Sequence, residues 1–256
     1  MSAARRAAWA AVVPLLLLAA WEASARAGIA PHFLSSPAAV LSAFDEMLAD
    51  GEFLQHASSS GLRLGFGLLF GATLGLLAGV AAGRVGAVRW VLDPLVSFVN
   101  PIPKIAFLPI VILAAGLGHE SQIAIVTLSV SFPVYLAAEN ATRSVEERLL
   151  WAARNAGAGR LRIFAEVILP AAAPGIISGL RVGIALSFIS LFAAELMGAA
   201  DGLGQLIAAG EEYQRYDIML AAIFAFAVAG YGADRLLLLG SRLFLRGQRF
   251  EPAGRV

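Results

Sequence analysis

The chain has 256 residues, of which 59% are hydrophobic and only 14% are charged, and its formal net charge is +1. Soluble domains carry about 25% charged residues, so this composition indicates an integral membrane protein. The small net charge, without a basic cluster among aromatic residues, argues against nucleic-acid binding. No cysteine is available for disulfides or thiolate metal sites. His32, His56 and His119 lack the spacing of metal ligands, so we expect no metal and no cofactor on this chain.

Six apolar stretches predict membrane-spanning helices, because a helix needs about 20 mostly apolar residues to cross a bilayer. The predicted spans are 7–25, 62–82, 104–117, 122–138, 175–198 and 218–239. The first could be a cleaved signal peptide, but its length and the later charge pattern favour a retained helix. Pro101 and Pro103 cannot continue a regular helix, so residues 90–99 are predicted to form either a separate half-helix or a segment at the membrane interface.

The charges in the connections predict an orientation for these spans. Arginines precede the first span and follow the second, fourth and sixth, whereas the alternate connections are mainly acidic. The positive-inside rule therefore places both termini and the loop 143–174 in the cytoplasm. On the outer side, Val40, Phe44 and Met47 recur at helical spacing and predict an amphipathic helix. That helix either contacts an external partner or caps the bundle.

The most polar long segment is 151–174, which lies between strongly apolar stretches. Its pattern predicts a short helix, a break at Gly157, a second amphipathic helix and a proline-marked start of the next span. A loop that only joined two membrane helices would need far fewer residues. The segment is therefore predicted to be a docking element for a protein outside the membrane.

The same segment resembles the EAA loop of permease subunits of bacterial ABC importers, whose pattern is E-A-A, three residues, G, nine residues, I-x-L-P. Trp151 stands where the family usually has glutamate, and Val167 replaces isoleucine. The residues at motif positions, identified here as an ATPase-coupling loop, are Trp151, Ala152, Ala153, Gly157, Val167, Leu169 and Pro170. The resemblance extends over about residues 34–245, and segments 98–118 and 132–145 resemble the nitrate, sulfonate and taurine branch of these permeases.

This resemblance implies an all-α integral membrane protein with six transmembrane helices and the type I importer (MetI-like) fold. It further implies a second copy of the chain, two cytoplasmic ABC ATPase subunits, a periplasmic substrate-binding protein and a bacterial inner-membrane location. The transported solute would be small and anionic, and ATP would be hydrolysed by the separate subunit. The chain itself has no P-loop motif. The alternative, a secondary carrier or channel driven by an ion gradient, predicts an internal repeat and several intramembrane acids, which the sequence does not clearly show.

On this basis the chain divides into an N-terminal transmembrane helix (1–33), a periplasmic amphipathic segment (34–60), a transmembrane core (61–245) and a cytoplasmic tail (246–256). The core contains the coupling loop 143–174. The transmembrane helices are expected to contact the lipid bilayer.

Three further features of the core are candidates for function. Glycines at every fourth position form one face of the second span and predict close helix packing, either static or able to slide. These glycines are Gly67, Gly71, Gly75, Gly79 and Gly83. Glu195, in the fifth span, is predicted to line the pathway or a gate, or else to be a paired structural charge. Lys104 follows the proline break and is predicted either to meet an anionic substrate or to reach the membrane interface.

Overall fold

The computed structural model describes residues 3–244, with side chains from 12 to 242. The regular elements within these residues are helices, and the predicted cytoplasmic tail 246–256 lies outside them. In chain order the helices are α1 (Ala3–Arg26), α2 (Pro37–Ala49), α3 (Glu52–Arg84), α4 (Gly86–Val99), α5 (Leu108–Ala115), α6 (His119–Arg143), α7 (Glu147–Asn155), α8 (Arg160–Ile163), α9 (Leu169–Leu196), α10 (Leu203–Glu212) and α11 (Tyr216–Phe244).

Four helical segments of the described chain are long and apolar enough to cross a membrane: α3, α6, the continuous run Arg160–Leu196, and Tyr216–Arg242 of α11. The helical segments on either side of the proline break meet at an angle of 91° and add a fifth crossing if they are counted as one. α1 is a helix of 24 residues, but it is not among these segments. The predicted count of six therefore stays a prediction.

The helices of the second and third predicted spans have other boundaries than predicted. The third span is not one helix, because a short 3₁₀ turn (Lys104–Phe107) precedes α5, which has only 8 residues. The separate half-helix before the prolines is present as α4, as predicted. α3 begins at Glu52 rather than at Leu62 and is 33 residues long. Its polar first turns obscured the helix in the sequence.

The core is built around α6, which lies between α3 and α9. Val126, Val130 and Val134 of α6 are fully buried and pack with Leu191 of α9. A second apolar cluster joins α2, α10 and α11, and Val40 and Met47 are its members from α2. The amphipathic face of α2 thus caps the bundle. We refer below to the two ends of the molecule as the α10 end and the α7–α8 end.

Candidate functional sites

The α7–α8 segment contains the residues predicted to form a coupling loop. The Gly157 amide donates to the Arg154 carbonyl at 2.9 Å, and the Ala158 amide donates to the Ala153 carbonyl at 3.0 Å. This pair of hydrogen bonds is a Schellman motif, which ends a helix with a residue in the left-handed region. Gly157 is that residue, with φ of +78°. The order of helix, glycine break and helix is therefore as predicted, and the turn itself requires glycine.

One side of this segment is packed and the other is exposed. Val145, Leu150 and Ile163 form a buried cluster that fixes α7 against the start of the following helix. On the opposite side, the side chains of Trp151 and Leu161 are 61% and 85% exposed. Ala152 is exposed and Ala153 is partly buried. A large aromatic and a large aliphatic side chain on a projecting, arginine-rich turn form a surface suited to a protein partner.

The proline-marked boundary after this segment differs from the prediction. Val167 lies in a π-helical stretch, Phe164–Ile168, and Leu169 and Pro170 continue directly into α9. Pro170 has no amide hydrogen for the carbonyl four residues earlier, and its ring crowds that carbonyl, so the turn widens instead of breaking. The predicted amphipathic helix and the fifth span are therefore one helical segment of 37 residues, Arg160–Leu196.

The glycine face of α3 lies directly against α6. A Cβ atom added at Gly71 would lie 2.7 Å from the Thr127 carbonyl oxygen, and one at Gly75 would lie 2.5 Å from that of Ser131. Gly67, Gly79 and Gly83 make equally close approaches to α6. By contrast, a Cβ atom at Gly61 or Gly65, on the same helix, would meet nothing within 4 Å. The glycine stripe thus allows the two helix backbones to touch.

A second glycine face, which the sequence interpretation missed, lies on α9. Gly175, Gly179 and Gly183 approach the other side of α6 at Ala141, Ala137 and Val130. The same four-residue spacing is present in the sequence and would have revealed it. α6 is therefore held between two small-residue faces.

Glu195 is the penultimate residue of α9 and is fully buried at the α10 end, not in the middle of a span. Its Oε1 accepts hydrogen bonds from Arg63 Nη1 and from the Ser60 hydroxyl, each at 2.7 Å, and its Oε2 accepts from the Gly204 amide at 2.8 Å. Arg63 is buried as well. Glu195 is thus a paired charge, and its partner on α3 was not identified from the sequence.

The buried ion pair extends into the loop before α10. Arg63 also contacts the Asp201 carboxylate, and its Nε donates to His119 Nδ1 at 3.0 Å. Burial raises the pKa of the Asp201 carboxyl, but hydrogen bonds from Ser59 and Arg63 outweigh this effect and hold the pKa below its ordinary value of 3.8. A Cβ atom at Gly202 would overlap Glu195 and Arg63. The cluster therefore ties the α9–α10 loop to α3.

Lys104 lies at the proline break, where it satisfies the end of α4. Its ammonium donates to the carbonyl oxygens of Val99, Asn100 and Ile102 at 2.8 to 3.0 Å, and it lies 4.3 Å from the centre of the Phe132 ring. An ammonium has three hydrogens to donate, and all three have acceptors here. In this conformation Lys104 caps α4. To contact a substrate anion, its ammonium would have to give up hydrogen bonds to these carbonyl oxygens.

Comparison with known proteins identifies the family. The family described as the binding-protein-dependent transport system inner membrane component matches residues 71–242. The taurine transport system permease protein TauC of Escherichia coli is 33% identical, and the match covers 91% of this chain and 85% of that protein. The putative aliphatic sulfonates transport permease protein SsuC of Bacillus subtilis is 31% identical, with coverages of 92% and 86%.

Among solved structures, a chain of the MetNI methionine ABC transporter in an inward-facing form superposes with a TM-score of 0.54. It is 23% identical, and the match covers 74% of this chain and 90% of that one. This likeness confirms the fold predicted from the sequence, although not the count of six helices. The chain belongs to the inner-membrane components of binding-protein-dependent transport systems: it is the permease subunit of an ABC importer, and the ATPase is a separate subunit.

Proposed function

We propose that this chain is one of two identical membrane subunits of an importer for organic sulfonates. The remaining subunits are two cytoplasmic ATPases and a periplasmic substrate-binding protein. The names of the TauC and SsuC relatives support a sulfonate as the transported solute. Both termini and the α7–α8 segment face the cytoplasm on this proposal, in agreement with the arginine distribution.

The observation that carries the proposal is the exposed surface of α7 and α8, with Trp151 and Leu161 projecting from it. Closure of the ATPase pair pulls on this surface. Because α8 continues through the π-helical turn into α9, the displacement reaches the whole of Arg160–Leu196. The close contact of Gly179 with α6 then carries it to the centre of the bundle. The pathway between the two copies thereby changes from being open to the cytoplasm to being open to the periplasm.

Single-cysteine variants test the topology and the docking surface, since the chain has no native cysteine. Ala156→Cys, at the exposed end of α7, should react with a membrane-impermeant thiol reagent only from the cytoplasmic side and should crosslink to the ATPase. Glu211→Cys, at the exposed end of α10, is the matched control and should react only from the periplasmic side. Reaction of Ala156→Cys from the periplasm would refute the orientation.

The transport proposal is tested with the complete transporter in proteoliposomes. Uptake of a sulfonate should require ATP and the binding protein, and it should continue when a protonophore or ionophore collapses the ion gradients. Uptake that follows the ion gradient without ATP would instead support the secondary-carrier alternative.

A further inference from the structure

A cavity of about 890 Å³ lies between α9 and α11 and is bounded at the α10 end by Ile207. This volume is within the range of about 300–1,000 Å³ that small-molecule sites occupy. The cavity follows α9 from Arg181 to Phe192, a rise of eleven residue steps or roughly 16 Å along a helix axis. Its length distinguishes it from a compact pocket and suits an elongated ligand.

The two ends of the cavity differ in polarity. At one end, Arg181 Nε and Nη2 donate to the two Asp234 oxygens at 2.7 and 3.2 Å, and the arginine side chain is 50% exposed. Towards the other end the wall is apolar, with Phe188, Phe192 and Phe226 among its side chains. The site therefore combines one charged end with a long aromatic wall.

The charged end has unused capacity for an anion. Arginine has five N–H donors, and the hydrogen bonds to Asp234 use two of them, which leaves three for another acceptor. Arg235 lies 4.7 Å from the ring of Tyr231, which lines the cavity. The charges of Arg181 and Asp234, which line the cavity, sum to zero. Arg235, which contacts the lining residue Tyr231, brings the formal charge of this region to +1. Charges within spanning helices are costly and indicate a functional role by default.

We propose that this cavity binds an alkyl sulfonate, with the sulfonate on Arg181 and the chain along Phe188 and Phe192. This inference rests on the proposed function and identifies a subset of its substrates. Sulfonates with chains of several carbons fit the cavity better than taurine, whose two carbons and ammonium leave the aromatic wall uncovered. A phospholipid acyl chain or a second copy of the protein would also cover that wall, and the experiment separates these occupants.

Three variants of the complex with its ATPase, reconstituted in nanodiscs, test the site. The double variant Arg181→Gln/Asp234→Asn removes both charges without leaving one unpaired. Ala227→Phe fills the exposed wall of the cavity and retains the ion pair. Arg242→Gln, on α11 beyond the cavity, is the matched control for loss of an arginine. Binding of octanesulfonate and ethanesulfonate is measured by calorimetry against empty nanodiscs.

In the wild type and in Arg242→Gln, affinity should rise with chain length by up to about fourfold per methylene. The double variant should bind octanesulfonate about tenfold more weakly, or worse, because the charge-assisted hydrogen bonds are lost. Ala227→Phe should abolish the dependence on chain length while ethanesulfonate binding is retained. Unchanged octanesulfonate binding by the double variant would overturn the site.

Two other results would also overturn it. One is the detection, by native mass spectrometry, of a bound phospholipid that octanesulfonate does not displace from the wild type and that is absent from Ala227→Phe. The other is dissociation of the complex into single permease chains in Ala227→Phe, which would make the wall an interface between copies. Transport separates the two proposals. If neither the double variant nor Ala227→Phe changes sulfonate uptake, only this binding site is refuted. If octanesulfonate binds as described but no sulfonate is taken up, only the transport proposal is refuted.

Discussion

Replacing Gly75 with alanine should weaken the contact between α3 and α6. The added Cβ would lie 2.5 Å from the Ser131 carbonyl oxygen, 2.9 Å from Val134 Cβ and 3.1 Å from the Tyr135 amide nitrogen. Two of these neighbours are backbone atoms of α6, and Val134 is fully buried. None of them can rotate away as the end of a flexible side chain would, so the helices must separate.

The magnitude follows from two opposing effects. Overpacking a well-packed interior by a methyl group typically costs about 1–3 kcal/mol. Alanine also favours a helix over glycine by about 1 kcal/mol, which offsets part of this cost. Gly65→Ala provides the matched control, because it lies on the same helix and its added Cβ would meet nothing within 4 Å. The helix-propensity gain cancels between the two variants, and their difference isolates the contact with α6.

The assay measures the unfolding free energy of each purified variant in detergent, by thermal or denaturant titration. Gly65→Ala should be as stable as the wild type or more stable, and Gly75→Ala should be less stable than Gly65→Ala by about 1–3 kcal/mol. Equal stability of the two variants would show that α3 and α6 are not held at this distance and would refute the packing argument.

The coupling turn, the buried ion pair and its titration give three further predictions. In Gly157→Ala the alanine must adopt a left-handed conformation that costs about 1–2 kcal/mol, so ATP-driven uptake should fall. Gly159 has a φ of −69°, which alanine adopts readily, so Gly159→Ala should leave uptake unchanged. Equal uptake by the two variants would contradict the argument. Glu195→Gln should lower the unfolding free energy by about 1–3 kcal/mol, because buried Arg63 loses one carboxylate partner and keeps Asp201; an unchanged unfolding free energy would contradict the pairing. Because the pKa of Asp201 lies below 3.8 in the folded protein, its stabilising contribution is present above that pH and is lost as the pH falls through the lowered pKa. On acidification below about pH 4, the melting temperature of the wild type should therefore fall more steeply than that of Asp201→Asn.

The sequence predicted what depends on local pattern. Apolar stretches of spanning length located α6, α9 and α11, and the charge asymmetry and motif spacing indicated the α7–α8 segment. Gly157 could be recognised because a helix end followed by a left-handed glycine is a local event. The same logic failed at the prolines of α9, because Pro170 marks a break in a soluble helix but only a widened turn in this longer one.

The buried cluster could not be predicted, because its members are distant in the chain. Arg63 and Glu195 are 132 residues apart and belong to different helices. Arg63 was not singled out in the sequence, and Glu195 was predicted to line the pathway or a gate, or else to be a paired charge. Their mutual neutralisation depends on how α3 and α9 pack, which periodicity does not specify. The start of α3 was placed ten residues too late for a local reason, because the first turns of this helix are polar.

The distribution of contacts indicates where the molecule can change shape. Glycine faces bring α3 and α9 into close contact with α6 along much of its length. At the α10 end, the pair of Arg63 and Glu195 ties α3 to the end of α9. α9 and α11, in contrast, meet across a cavity with a half-exposed ion pair. We therefore expect displacement of the α7–α8 segment to move α3, α6 and α9 together and to open or close the seam along α11. The proposed sulfonate site lies in that seam, where the same movement would alter its affinity.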